Sequence, residues 1–316
     1  MPESSRTIRV AVLKGGPDAE HEVSLRSGAE VAKALRTFGD LEVLEQVVDR
    51  PSVEDLRALG VDVVFPALHG PFGEGGPLQD RLEEAGIPYV GCGPDASRLG
   101  MDKLACKRRV ASRGVPVLED DHLIEGVPSR LEPPVVVKPI DDGSSVGVRL
   151  CRTAAEFAAA RRDLHPRFKR LMAERMVRGR EITVGILDGH ALPLVEIVPA
   201  VEFYDYEAKY LRDDTRYVVE PALPAGITDA CRRHAVAAFE AVGGRDLARI
   251  DFLVDADGPW FLEVNTMPGM TDHSLLPKAA ARVGCSMPAL GRLLVDRALA
   301  RSTSVGAAPR RVLRPV

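Results

Sequence analysis

An α/β protein is predicted, with a parallel sheet in its first lobe and smaller α+β lobes after it. Three observations predict it. Over the first 96 residues, short apolar runs alternate with segments of helical period, the pattern of a parallel sheet with crossover helices. After that the strand-like runs fall closer together and are separated by turn signals such as Asp188-Gly189 and Asp257-Gly258. The composition, 45% hydrophobic and 28% charged, is that of an ordinary globular chain.

In order along the chain, residues 8–14 (IRVAVLK) form a buried strand stopped by Gly15-Gly16-Pro17, and residues 23–38 carry a helical apolar period. LEVLEQVV and VDVVFPAL are the next strands, the second ending at His69-Gly70. A glycine-rich loop, a helix (LQDRLEEAG) and a short strand (IPYVG) complete a first lobe of residues 1–96. Residues 102–113 are helical and end at Gly114. A strand over 134–138, the loop DDGSSVG, a strand GVRLC, a helix near 153–163 and a strand LMAERMV make a second lobe, 97–178. The third lobe, 179–301, opens with the hairpin EITVGILDGHALP. It holds an aromatic, polar segment at 202–214 with poor periodicity, expected to be a functional loop. A helix over 228–242, the strands LARIDFLVD and WFLEVN, the loop TMPGMTDHS and a helix over 288–300 follow. Residues 302–316 are expected to form a flexible basic tail.

At 316 residues the chain has room for two or three lobes. Its net charge of −4 gives no reason to expect nucleic acid as a partner. No run approaches the roughly 20 apolar residues that span a bilayer, and MPESSRTIRV lacks a signal-peptide core, so a cytoplasmic protein with no membrane partner is expected. The five cysteines, 92, 106, 151, 231 and 285, are scattered and show no C-x-x-C spacing, which suits free thiols in a reducing compartment.

Four features carry chemistry. Arg249 and Asp251 share one face of a strand, and Glu263 and Asn265 share one face of the next. Two carboxylates and an amide oxygen are hard ligands suited to magnesium, although the polar side of an edge hairpin would look the same. Lys138 ends the run VVV and precedes Asp142-Gly143-Ser144-Ser145-Val146-Gly147. A loop of this kind can bring backbone N–H groups to a phosphate, or can be an ordinary turn. Lys103, Lys138 and Lys209 lie near lobe junctions, where isolated lysines are otherwise surface charges. Glu20-His21-Glu22 stands before a helix, where an acidic residue can simply favour the helix dipole, and His69 stands at the C-terminal end of a strand, where open α/β sheets bind ligands. The pair Gly15-Gly16 does not make a dinucleotide site, because G-x-G-x-x-G is absent.

Seven segments in order, GGPDAEHEVSLRSG, ALHGPFGEGGPLQ, GIPYVGCGPDASRLGMDKLACK, VVVKPIDDGSSVGV, FYDYEAKY, GGRDLARIDFLVD and LEVNTMPGMTDHSLLPKAA, resemble the D-alanine–D-alanine ligases from about Arg9 to Ala300. The resemblance implies an ATP-grasp fold with a Rossmann-like N-terminal lobe, and ATP held between the second and third lobes. It implies Asp251, Glu263 and Asn265 as ligands of two magnesium ions, with manganese able to substitute. Lys103 and Lys138 would hold phosphates and Lys209 would meet the γ-phosphate. Glu174 and Glu181 would bind the adenine edge and the ribose. Glu22 would anchor the first D-alanine's ammonium, His69 would lie near its carboxylate, and Ser144 and Tyr210 would hydrogen-bond with Glu22. Arg249 and the Gly269 N–H would stabilise an oxyanion, while Ser274 and the Leu275 backbone would take the second D-alanine's carboxylate. Two D-alanines as substrates, a homodimer and a place in peptidoglycan precursor synthesis are also implied.

Departures occur at Glu74-Gly75-Gly76, where the family often has Glu-Asp-Gly, and at Arg175-Met176-Val177, where it often has Lys-Trp-Leu. The rival expectations are a related ligase using D-lactate or D-serine as second substrate, which the tyrosine of FYDYEAKY disfavours, another ATP-grasp amino-acid ligase, and a nucleotide-binding protein without turnover.

Overall fold

A computed structural model describes residues 6–199, 215–271 and 273–304. In the first lobe β1 (Ile8–Gly15) lies between β2 (Leu41–Val48) and β3 (Val63–Pro66), both parallel to it. Alternation in β1 assigns its two faces. Val10 and Val12 pack with Val31 and Leu35 of α1 (His21–Leu35), while Ala11 and Leu13 pack with Leu56 of α2 (Val53–Ala58) and Leu78 and Leu82 of α4 (Pro77–Ala85). A parallel strand covered on both faces has to be apolar throughout, which explains the run VAVL. The expected strand IPYVG is reduced to a single bridge, Tyr89 to Val64. The four-residue α3 (Gly70–Gly73) follows His69, and α5 (Pro94–Met101) and α6 (Lys103–Ala111) lead out of the lobe.

The second sheet has the order β4-β7-β5-β6, from β4 (Asp120–Leu123), β5 (Val135–Pro139), β6 (Arg149–Cys151) and β7 (Leu171–Arg175), all antiparallel. Phe157 and Leu164 of α7 (Ala154–Leu164) pack on Val135, Val137 and Ala173 of this sheet.

The third sheet, β10-β9-β8-β11-β12, is antiparallel and built from β8 (Arg180–Leu187), β9 (His190–Val198), β10 (Arg216–Val219), β11 (Leu247–Val254) and β12 (Pro259–Asn265). Asp188 and Gly189 both have positive φ, 52° and 79°, the left-handed pair that a tight hairpin turn demands. Helix α8 (Ala225–Val242) covers one face through Cys231, Ala235 and Phe239. Helix α9 (Leu275–Arg282) packs Leu275 and Leu276 toward Leu187 and Leu192 on the other.

The last helix, α10 (Met287–Ser304), places Leu290, Leu294 and Val295 in a core shared by β1, α1 and α9, so it packs on the first lobe as well as the third, and Arg292 Nη1 holds Asp40 at 2.8 Å. Residues 202–214 and the tail beyond 304 lie outside the described residues. Among the described residues, no helix is long and apolar enough to cross a membrane.

Candidate active site

Two clefts meet between the lobes. One, of about 610 Å³, lies between the second and third sheets and is lined by Lys138, Glu174, Glu181 and Asp251. The other, of about 690 Å³, lies toward the first lobe and is lined by Glu20, His69, Ser144, Arg249, Gly269 and Ser274. Lys103, Asp142, Gly143 and Glu263 border both.

The junction is built by the β11–β12 hairpin. Asp251 is the register partner of Glu263, and Arg249 is the partner of Asn265, so all four side chains share the cleft face as strand alternation requires. A bulge follows directly between Asp251 and Phe252. Asp251 accepts from Thr183 Oγ1 at 2.6 Å and takes a two-point contact from Arg249, with Nε at 2.9 Å and Nη2 at 2.8 Å. Lys103 Nζ lies 3.8 Å from Glu263 and donates to the carbonyl of Asp142, which ties the start of α6 to the glycine–serine loop. Asn265 Oδ1 accepts from Met267 N at 3.1 Å. In this arrangement each carboxylate of the junction faces a protein cation.

In the nucleotide-sized cleft, Glu174 does not stand open. It is 2% exposed and takes Lys138 at 2.7 Å on one oxygen and Lys107 at 2.5 Å on the other. Burial works against its ionisation, but attraction to Lys138 and Lys107 outweighs this and holds its carboxyl below the usual range. Lys107, one turn after Lys103 on α6 and 1% exposed, also reaches the Leu118 carbonyl at 2.7 Å and Asp120 at 2.9 Å. The sequence reading passed over it, since a lysine one turn after another reads as solvated. The apolar neighbours Leu104, Cys106 and Val110 were the signal that this helix is buried. Arg175, Met176 and Val177 line the same cleft, as does Glu181.

In the other cleft the sequence reading is corrected at one position. Glu22 is exposed on the first turn of α1 and lines neither cleft. Glu20 lies there instead, 7% exposed, accepting from Ser144 Oγ at 2.5 Å. The reason is where the helix starts: α1 begins at His21, so Glu20 is the N-cap residue at the cleft wall and Glu22 turns about 200° around the axis toward solvent. Burial raises the Glu20 carboxyl above its ordinary pKa, opposed by the Ser144 hydrogen bond. Ser144 and Ser145 both have positive φ, 52° and 58°, a strained pair of a kind that persists where surroundings hold it. Tyr210 and Lys209 lie outside the described residues.

His69 donates from Nδ1 to the Met267 carbonyl at 3.1 Å and accepts at Nε2 from Ser27 Oγ at 3.3 Å, the tautomer its neighbours require. Burial pushes its pKa down to about 4, so it is neutral at pH 7. The 266–274 loop is fixed by this contact and by Met270 N to Ser27 Oγ at 3.3 Å. At Gly269 a Cβ would lie 2.8 Å from Ser274 Oγ and would have to displace that hydroxyl. That hydroxyl accepts from Thr271 N at 2.9 Å and makes no capping hydrogen bond to α9, whose first residue, Leu275, lines the cleft. At the departure Glu74-Gly75-Gly76, Gly75 also has no room for a side chain, since a Cβ would lie 2.3 Å from the Pro71 carbonyl.

Comparison with known proteins gives the family of the chain. Residues 110–296 match the family described as D-ala D-ala ligase C-terminus, and residues 40–92 match D-ala D-ala ligase N-terminus. A D-alanine–D-alanine ligase of Laribacter hongkongensis is 46% identical over 296 residues, covering 90% of this chain and 94% of that protein. One from Anaeromyxobacter dehalogenans is 45% identical over 300 residues, covering 92% and 96%. Among solved structures, the D-alanine–D-alanine ligase of Bacillus anthracis complexed with ATP superposes with a TM-score of 0.82 at 29% identity, covering 95% of this chain and all of that one. The ligase of Coxiella burnetii does so at 0.81 and 25%, covering 96% and 97%. With both family segments matched and relatives this similar over nine-tenths of its length, the chain belongs to the D-alanine–D-alanine ligase family.

Proposed function

We infer that this protein joins two D-alanines into D-alanyl-D-alanine at the expense of ATP, by way of D-alanyl phosphate. The observation that carries the reading is the meeting of the two clefts at Lys103 and Glu263, which sets a nucleotide-sized space against a space lined for a zwitterion.

ATP lies in the cleft of Lys138, Glu174 and Glu181, with Lys103 and Lys138 on its phosphates and Glu181 at the ribose. Lys209, in the 202–214 segment outside the described residues, is the further lysine proposed for the γ-phosphate. The oxygens of Asp251, Glu263 and Asn265 fit magnesium, two ions being the expectation and manganese a substitute. When bound, magnesium neutralises phosphate charge and aligns the transferring group.

The first D-alanine sets its ammonium on Glu20, with His69 close to its carboxylate and Ser144 and Tyr210 steadying Glu20. A carboxylate oxygen attacks the γ-phosphorus and the bond to the ADP oxygen breaks, a transfer that depends on alignment and charge neutralisation. The second D-alanine places its carboxylate on the Ser274 hydroxyl and the α9 N-terminus at Leu275. Its amine, having lost a proton, attacks the acyl carbon. The tetrahedral oxyanion is met by Arg249 and the Gly269 N–H, and inorganic phosphate departs as the amide forms. No enzyme side chain is acylated. The protein acts as a cytoplasmic homodimer in peptidoglycan precursor synthesis, without nucleic-acid or membrane partners.

The experiment is a panel of tubes with ATP and magnesium, containing D-alanine alone, D-alanine with D-lactate, D-alanine with D-serine, or L-alanine. Phosphate is measured and products are weighed. Phosphate with D-alanine alone and the mass of the dipeptide supports the reading. A mixed product only, or no turnover in any tube, contradicts it.

A further inference from the structure

Glu74 is a buried carboxyl in the amino-acid cleft that the reaction described above does not use. It is 9% exposed, at the C-terminal end of α3. Its Oε1 accepts from Gly70 N at 3.1 Å. Its Oε2 is fully buried and, among the described residues, has no hydrogen-bond partner within bonding distance; the Met267 N–H beside it favours the charged form but is directed at Asn265 Oδ1 at 3.1 Å. The backbone around it is held from two sides, by Glu74 N to the Gly70 carbonyl at 2.9 Å and by Thr266 Oγ1 donating to the Glu74 carbonyl at 3.2 Å. A buried carboxyl oxygen held in place with nothing to bond calls for a ligand.

The groups around it define that ligand. Glu20, from the segment before α1, is a second acid of the same cleft, close enough to oppose ionisation of Glu74. Arg249 of β11 favours the charged form, but its Nε and Nη2 are directed at Asp251. His69, next to α3, is neutral at pH 7 with its Nδ1 proton directed at Met267. Asp18, which accepts from Phe72 N at 2.7 Å, and Asp142 of the glycine–serine loop both oppose ionisation of Glu20. Glu20 and Glu74 are therefore two mutually opposed acids of one cleft, and Arg249, the cation that favours the charged form of Glu74, is directed at Asp251. A small cation with several donors satisfies both. An ammonium has three N–H groups, and Glu20 already commits one oxygen to Ser144.

We propose that Glu74 is a second anchor for the ammonium of the first amino acid, sharing it with Glu20. The proposal rests on the reading that this cleft binds a zwitterionic amino acid. Burial pushes the Glu74 carboxyl up to about 8, so at pH 7 it holds a proton before substrate arrives. The arriving ammonium favours the carboxylate, and that proton passes to solvent. Binding of the first amino acid is thus coupled to proton release.

The test is calorimetric titration of D-alanine into the protein loaded with magnesium and a non-hydrolysable ATP analogue. It is run at pH 7 in two buffers of different ionisation enthalpy, at concentrations that fill the first amino-acid site. The wild type is expected to release about one proton per first D-alanine, and to release none at pH 9, where Glu74 is already ionised. In Glu74→Gln the release is lost and first-site affinity falls about tenfold or more, while the second-site KM and the KM for ATP stay near wild type. A wild type that forms dipeptide but releases no proton overturns the proposal, as does release that persists in Glu74→Gln or a defect confined to the second site. The wild-type measurement decides even if the variant folds poorly. A wild type that binds no D-alanine and forms no dipeptide overturns the underlying reading as well, and so separates the two failures.

Discussion

Ser144 Oγ donates to Glu20 Oε1 at 2.5 Å, joining the segment before α1 to the glycine–serine loop of the second lobe across 124 residues of sequence. Both residues line the amino-acid cleft, and the bond draws two lobes onto one wall of it. Glu20→Gln should raise the KM of the first D-alanine by about 10- to 100-fold, the range for losing a charge-assisted hydrogen bond. Ser144→Ala should cost less, about fivefold. Glu22→Gln, on the exposed face of α1, should stay within about twofold of wild type. Steady-state kinetics fitted for two D-alanine sites check all three. A larger defect in Glu22→Gln than in Glu20→Gln would return the ammonium to the position first expected from the sequence.

Glu263 stands at the junction of the two clefts, register partner of Asp251. Glu263→Gln should lower turnover on the order of 100-fold or more and shift the magnesium titration to higher concentration. Titrating activity against magnesium at saturating ATP checks this, and near-normal activity at ordinary magnesium would remove Glu263 from the metal site.

Lys107 is buried between Glu174, Asp120 and the Leu118 carbonyl. Glu174 thus shares its single charge between Lys107 and Lys138. Lys107→Met should destabilise the fold by about 3–5 kcal/mol, because two acids lose their buried partner. It should also raise the KM for ATP with little change for D-alanine, since Glu174 then engages Lys138 alone. Adding Glu174→Gln should restore part of both losses. Urea denaturation and ATP kinetics on the single and double variants are the measurements, and an additive double variant would contradict the coupling.

The pH dependence of stability separates His69 from Glu74. His69, neutral when folded with a pKa of about 4 against 6.5 unfolded, contributes stability above pH 6.5 that is lost as pH falls from 6.5 toward 4. Glu74, protonated when folded with a pKa of about 8 against 4.5 unfolded, contributes stability below pH 4.5 that is lost as pH rises toward 8. The two slopes oppose each other between 4.5 and 6.5, and Glu74 stands apart from His69 between 6.5 and 8. Over that upper window wild type should lose up to about 2 kcal/mol that Glu74→Gln does not lose. Urea unfolding at pH 6.5 and 8.0 checks it, and parallel losses in both proteins would place the proton elsewhere.

What the sequence made legible was local and periodic. Period two put Arg249, Asp251, Glu263 and Asn265 on one face, and the ladder pairs them so. Asp188-Gly189 marked a hairpin because few other residues accept two positive φ angles in succession. The parallel first lobe followed from apolar runs alternating with helical ones. What escaped was decided by helix starts and long-range packing. Glu20 and Glu22 are equivalent in composition, and only the start of α1 at His21 separates them. IPYVG has a strand's residues but meets β3 at one bridge. The short helices α2, α5 and α9 and the short strands β4 and β10 carry too few residues for a periodic signal. Nothing local in α10 says that its apolar face packs on the first lobe as well as the third, and Lys107 is a core residue because two acids from other strands meet it.

The most direct test of the central claim uses D-alanine labelled with oxygen-18 in both carboxylate oxygens, together with ATP and magnesium. The inorganic phosphate and the peptide are weighed from the same tube. If two D-alanines are joined through D-alanyl phosphate, the oxygen that attacked phosphorus leaves with it. Each phosphate then carries one oxygen-18, and each dipeptide retains one in its amide and two in its terminal carboxylate. Unlabelled phosphate, or labelled phosphate without D-alanyl-D-alanine, would contradict the account.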